Sequence, residues 1–143
     1  MLSSRLADAV DALPLRPGLR VLEIGCGPGA AAREVARRLG PRGFVLGIDR
    51  SPRAVSAARR AAAADGLGPD RLEIDCSAVE DFVLDARPPF DVAFALRVGA
   101  LDGRHPALYD AAVRAVAGAL RPDGVLFVDG GDPLRRIEIP TAG

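Results

Sequence analysis

Three glycines fall within five residues of Val21–Ala30, VLEIGCGPGA, directly after the apolar run Val21, Leu22 and Ile24. Glycine tolerates positive φ and, lacking a Cβ, lets a ligand lie against the backbone. An alanine-rich helical pattern starts at Ala30, and the first turn of such a helix carries free N–H groups that favour a nucleotide-like ligand. Twenty residues past Gly29 a second apolar run, Phe44–Ile48, ends in Asp49. A carboxylate at that point can accept hydrogen bonds from both hydroxyls of a ribose. Glycine loop and acid together describe a site for an adenosine-containing cofactor. Gly25-x-Gly27-x-x-Ala30 also fits the dinucleotide fingerprint, which keeps a nicotinamide dinucleotide open as an alternative.

Fewer residues offer acid–base or nucleophilic chemistry. His105 is the single histidine, either a base near an acceptor or a plain residue ahead of the helix that Pro106 opens. Arg97 follows the fourth apolar run, where it is equally an orienting group for an anionic substrate and an exposed salt-bridge partner. Cys26 and Cys76 have no neighbouring base in sequence to lower a thiol pKa and read as small fillers. They form no CxxC pair and no disulfide framework, and no residue set has metal-ligand spacing.

The elements that must position these residues alternate. Ser3–Leu13 places Leu6, Ala9, Val10 and Leu13 on one helical face. Strands follow at Leu19–Ile24, Phe44–Ile48, Arg71–Asp75, Phe90–Leu96 and Val125–Val128. Helices are read at Ala30–Leu39, from Ser51-Pro52 to about Asp65, and from Pro106 onward, with Arg121–Gly124 as a turn. Val79–Leu84 is a single helical turn or a loop, and Arg135–Ile139 one extended segment. This order predicts an α/β fold of three layers, α/β/α and Rossmann-like, with a mostly parallel sheet and right-handed crossovers. Ligands bind such sheets at the carboxyl ends of the strands. The glycine loop, Asp49, the Cys76–Val79 stretch and Leu96–Val98 would converge there.

Length and composition bound the rest. The 143 residues suit a single domain over 1–143, and 49% hydrophobic content supplies a core. Formal net charge is zero and all 19 basic residues are arginine, so there is no nucleic-acid signal and no lysine-based mechanism. The charged N-terminus is neither a signal peptide nor a membrane span. The expectation is a cytoplasmic protein without a membrane partner.

VLEIGCGPG, GIDRS, FDVAFAL and LRPDGVLFV resemble, in order and spacing, the motifs of class I S-adenosylmethionine-dependent methyltransferases, over about residues 17–129. The resemblance implies that Gly25, Cys26, Gly27 and Gly29 lie along the methionine part of S-adenosyl-L-methionine. Glu23 would favour its positive end, and Asp49 would hold the ribose. Arg50 and Ser51 would lie near the adenine, with Ser77, Ala78 and Val79 beside its amino group. The family often has Asp where this chain has Ser77. Leu96 and Arg97 fall where the family places residues near the reactive methyl group. The sheet order implied is 3-2-1-4-5.

The family usually continues past strand five with a further helix and an antiparallel hairpin. Only fifteen residues follow Val128, so most of that hairpin is expected to be lacking. Three expectations follow. The site is open, suiting a macromolecular or large acceptor, although by family habit the acceptor is a small molecule; or a second copy pairs along the uncovered strand-five edge; or the chain is a non-catalytic S-adenosylmethionine-binding module. A NAD-dependent oxidoreductase is the remaining alternative.

Overall fold

The computed structural model describes residues 2–140. Helix α1 (Ser4–Ala12) starts where Ser3 Oγ accepts the Leu6 N–H at 3.3 Å. Strand β1 (Arg20–Ile24), helix α2 (Ala30–Leu39), strand β2 (Phe44–Asp49), helix α3 (Pro52–Ala64) and strand β3 (Leu72–Cys76) follow. Then come a single 3-10 turn at Val79–Asp81, strand β4 (Phe90–Ala95), the short helix α4 (Gly99–Asp102) and a second 3-10 turn at Pro106–Leu108. Helix α5 (Tyr109–Ala119), strand β5 (Leu120–Asp129) and strand β6 (Leu134–Ile137) complete the described chain. The α3 start was legible: Ser51 Oγ accepts the Ala54 N–H at 3.2 Å and Pro52 opens the helix.

The six strands form one sheet in the order β3-β2-β1-β4-β5-β6. All pairs are parallel except β5–β6. Side chains alternate across a strand, and the core divides accordingly. Val21, Val45 and Val92 face α1, α2 and α3 on one side; Leu22, Leu46 and Ala93 face α4 and α5 on the other. The expected three-layer α/β/α architecture is observed. β1 and β2 are buried on both faces, which is why, Glu23 and the terminal residues apart, they read as apolar runs.

Three details depart from expectation. Arg121–Gly124 is not a turn ahead of strand five but a bulge inside it: Phe90 pairs with Leu120 and Val92 with Val125. Asp91 alone faces the four bulged residues and accepts from Arg121 Nη1 at 3.1 Å; Pro122, without an N–H, is tolerated because the ladder is already broken there. Second, Pro106 opens a 3-10 turn, with the α-helix starting only at Tyr109, and α4 precedes it unforeseen because four residues leave no periodicity to read. Third, β6 covers the β5 edge through pairs running from Leu126↔Ile137 to Asp129↔Leu134. The strand-five edge is therefore not the free one that a second copy was expected to use; the sheet ends on β3 and β6. No helix among the described residues is long and apolar enough to cross a membrane.

Candidate functional site

The β1–β2 ladder runs two residues past Ile24: Cys26 N–H donates to Ile48 O at 3.0 Å. The chain then turns through Gly25 at φ +68°, Gly27 at φ +53° and Gly29 at φ +84°, all in the region that side chains avoid. A Cβ at Gly25 would stand 2.7 Å from Val98 Cγ2, so this position is closed by both conformation and space. A Cβ at Gly27 would meet nothing within 4 Å: the backbone there is bared to open space.

Asp49 does more than end β2. Its Oδ2 accepts the Gly27 N–H and its Oδ1 the Ser51 N–H, each at 2.9 Å. One carboxylate thus ties the glycine loop to the start of α3, and each oxygen keeps a further acceptor position for a ligand.

Two cavities open beside this loop. The first, about 270 Å³, is lined by Asp49, Arg50 and Ser77–Glu80 on one side and by Arg97–Ala100, Arg104, His105 and Leu108 on the other. The second, about 360 Å³, lies toward α1 and is lined by Leu6, Ala9, Glu23, Cys26, Gly27, Leu96, Asp129 and Leu134 among others. Gly25 and Arg97 line both.

Among the described residues Glu23 is the one buried charged residue, 3% exposed. Burial pushes its carboxyl up to about 8; the backbone N–H of Ala32 opposes this and the charge of Asp49 adds to it. Its Oε1 has no hydrogen-bond partner, a cost unless something else fills that role. Burial, with the nearby acids Glu23 and Asp49, also pushes the Cys26 thiol up to about 12, which keeps it an unreactive thiol. Its Sγ would lie 3.0 Å from a Cβ at Gly47, so Cys26 is packed against β2.

The sequence candidates therefore divide. Asp49, Arg50, Ser77, Ala78, Val79 and His105 line the first cavity; Glu23, Cys26, Gly27 and Leu96 line the second. Gly29 and Ser51 line neither: Gly29 is the left-handed residue ahead of α2 and Ser51 caps α3. Arg97 stands at φ +60°, an uncommon conformation for a side-chain-bearing residue. Its carbonyl accepts from Arg104 Nη2 at 2.6 Å. The His105 ring lies over Gly99, where a Cβ would come within 2.2 Å of Cδ2. Glu80 in the first cavity, and Leu6 and Asp129 in the second, were not anticipated; the α1 face carrying Leu6 and Ala9 has the same apolar period as any core-facing helix. Among the described residues no group of three His, Cys, Asp or Glu side chains is placed to hold a metal ion.

A family model described as "Methyltransferase domain" matches residues 21–124, from β1 to the bulge in β5. The chain belongs to the methyltransferase-domain family. The class I methyltransferase resemblance read from its motifs is thus borne out. This methyltransferase domain is 38% identical over 129 residues to nocamycin O-methyltransferase of Saccharothrix syringae, covering 90% of the chain and 42% of that protein. It is 34% identical to ubiquinone biosynthesis O-methyltransferase of Neisseria meningitidis serogroup C, covering 84% of the chain and 47% of that protein. The chain thus spans less than half the length of these curated relatives. Among solved structures, the [4+2]-cyclase SpnF superposes with a TM-score of 0.69 at 32% identity, over 87% of this chain and 43% of that one. A methyltransferase from Geobacter sulfurreducens, solved with S-adenosyl-L-homocysteine, shares the fold with a TM-score of 0.68 at 24% identity, over 90% of this chain and 48% of that one.

Proposed function

We propose that this domain binds S-adenosyl-L-methionine and directs its methyl group to a small-molecule acceptor, with a hydroxyl oxygen as the receiving atom. The observation that carries the reading is the pairing of Asp49 with the bared glycine loop, in a chain of the methyltransferase-domain family. The residues fit the cofactor. Asp49 keeps acceptor positions for the ribose hydroxyls, and Ser77–Val79 form a wall for the base. The unpartnered Oε1 of Glu23 suits the ammonium of the amino-acid end. A cation beside Glu23 would draw its carboxyl down from about 8 and release a proton.

When bound, this cofactor supplies a methyl group already activated by a sulfonium, ready for in-line displacement. The chain's task is placement and exclusion of water, and orientation alone can supply roughly 7–11 kcal/mol. Leu6, Ala9, Leu96 and Leu134 give the second cavity an apolar wall on the acceptor side. The names of the two curated O-methyltransferases support oxygen as the acceptor atom.

A second reading has its own observation. SpnF, similar in fold at 32% identity, is a [4+2]-cyclase, and one fold hosts unrelated chemistry. A domain that holds the cofactor without transferring its methyl group would keep the first cavity intact. A nicotinamide dinucleotide is disfavoured by the family match over residues 21–124. Calorimetric titration with S-adenosylmethionine, S-adenosylhomocysteine and NADH tests the reading: micromolar binding of the first two supports it, and binding of NADH alone overturns it. Release of S-adenosylhomocysteine in the presence of a panel of hydroxylated small molecules separates transfer from binding.

A further inference from the structure

The second cavity holds an acid that the proposed cofactor contacts leave unused. Asp129 is the last residue of β5 and lines that cavity. Two pairings fix its place. Ala95↔Val128 puts Leu96 and Asp129 next in register at the carboxyl edge of the sheet, and Asp129↔Leu134 closes the β5–β6 hairpin. Leu96 and Leu134, with Leu6 and Ala9 of α1, give the cavity its apolar wall. Among the described residues nothing donates a hydrogen bond to this carboxylate. Its Oδ1 is buried without a partner. Its Oδ2 lies 3.7 Å from Arg5 Nη2, too far for a hydrogen bond, and the Arg5 side chain is 64% exposed. An exposed ion pair of that kind contributes little. A carboxylate left short of donors costs stability, and a ligand donor that reaches it gains what the free protein lacks. The Asp129 side chain keeps 24% exposure, so a molecule in the cavity can meet it.

We infer that Asp129 selects the methyl acceptor, taking a hydrogen bond from a neutral hydroxyl group and turning away carboxylates. The inference rests on the reading that this cavity serves the acceptor side of an S-adenosylmethionine-dependent transfer. An apolar cavity with few polar groups takes orientation and specificity from those groups. A hydroxyl supplies the donor that Asp129 lacks, and its bond to a carboxylate is charge-assisted. A carboxylate in the same place would set anion against anion. A site built to bond a hydroxyl also rejects the analogue without one. Arg5 and Arg97 line the cavity too, and an anionic acceptor held by them is the outcome that defeats the inference.

The test titrates phenol, its hydroxyl-free isostere toluene, and benzoate into wild type, Asp129→Asn and Asp129→Leu, each saturated with S-adenosylhomocysteine. Binding is followed by the NMR shifts of the Gly25, Leu96 and Leu134 amides. Wild type is expected to bind phenol about tenfold or more tighter than toluene, and benzoate more weakly than phenol. Asp129→Leu should bring phenol and toluene to within about threefold. Asp129→Asn, whose amide both donates and accepts, should keep part of the phenol preference and gain affinity for benzoate. Thermal melts of the near-isosteric Asp129→Asn check that the fold survives. No shift of these amides with phenol, equal binding of phenol and toluene by wild type, tighter binding of benzoate, or the full phenol preference in both variants overturns the assignment and leaves the cofactor reading standing. Failure of wild type to bind S-adenosylhomocysteine at all overturns the cofactor reading, and the assignment with it.

Discussion

On the Asp49 side of Gly25, the first cavity is polar and built from short stretches just after β2, β3 and β4. On the Glu23 side, the second is more apolar and draws on α1, the glycine loop and the β5–β6 hairpin, residues more than a hundred positions apart in the chain. The first reads as a nucleoside pocket with its acceptors in place. The second joins a buried, unpaired carboxylate to a greasy wall and carries the acceptor side of the reading. On the proposed reading, the nucleoside end of the cofactor is met by short stretches at the ends of neighbouring strands, whereas the acceptor side is a product of long-range pairing. Residues 21–124 match the family model, while Leu6, Asp129 and Leu134 of the second cavity fall outside that span.

Breaking the first cavity should have the largest effect. Asp49→Ala removes the acceptor of the Gly27 and Ser51 N–H groups together with the proposed ribose contacts. Hydrogen bonds to a charged group contribute about 1.5–3 kcal/mol each, so S-adenosylhomocysteine affinity should drop by at least about a hundredfold by calorimetry. Retention of wild-type affinity would mean the loop holds its shape, and the ligand, without that carboxylate.

Gly25, shared by both cavities, comes next. Gly25→Ala forces a side chain to φ +68° and against Val98 Cγ2, and should destabilise the fold by about 1–3 kcal/mol in urea titrations. Adding Val98→Ala should recover only the clash. Complete recovery in the double variant would show that the left-handed backbone carries no cost here.

Glu23 sharpens the contrast through pH. Its folded value of about 8 lies above the ordinary 4.5, so the folded state favours the protonated form. Its contribution to stability is complete below about 4.5 and is lost as pH rises through about 8. The melting temperature of wild type relative to Glu23→Gln should therefore fall steadily between pH 5 and pH 9. Parallel profiles for the two proteins would contradict the raised value. His105 should give the smallest effect. It lines the first cavity and packs on Gly99 rather than lining the more apolar second one, so His105→Ala should change S-adenosylhomocysteine affinity by only a few-fold. Unchanged affinity with collapsed turnover at saturating cofactor would restore it as a base.

Much of this was legible from residues alone because parallel strands and their loops are written locally. The runs ending at Ile24 and Asp49, the Ser51-Pro52 cap and the apolar Phe90–Ala95 strand each declare themselves within a few residues. What stayed hidden depends on long-range pairing. Pro122 and Gly124 look like a turn, and only the register against Phe90 and Val92 makes them a bulge. Arg135 and Ile137 read as one extended segment, and only pairing with Val128 and Leu126 makes that segment the cover of β5. Glu80 has no sequence signal at all, and only the fold sets it on the wall of the first cavity.

A crystal structure of the domain with S-adenosylhomocysteine tests the central claim most directly. The account predicts the base against Ser77–Glu80, the ribose hydroxyls on Asp49 and the amino-acid end beside Glu23, so that the ligand spans both cavities past Gly25. A nucleoside bound elsewhere, or an amino-acid end turned away from Glu23, would contradict it.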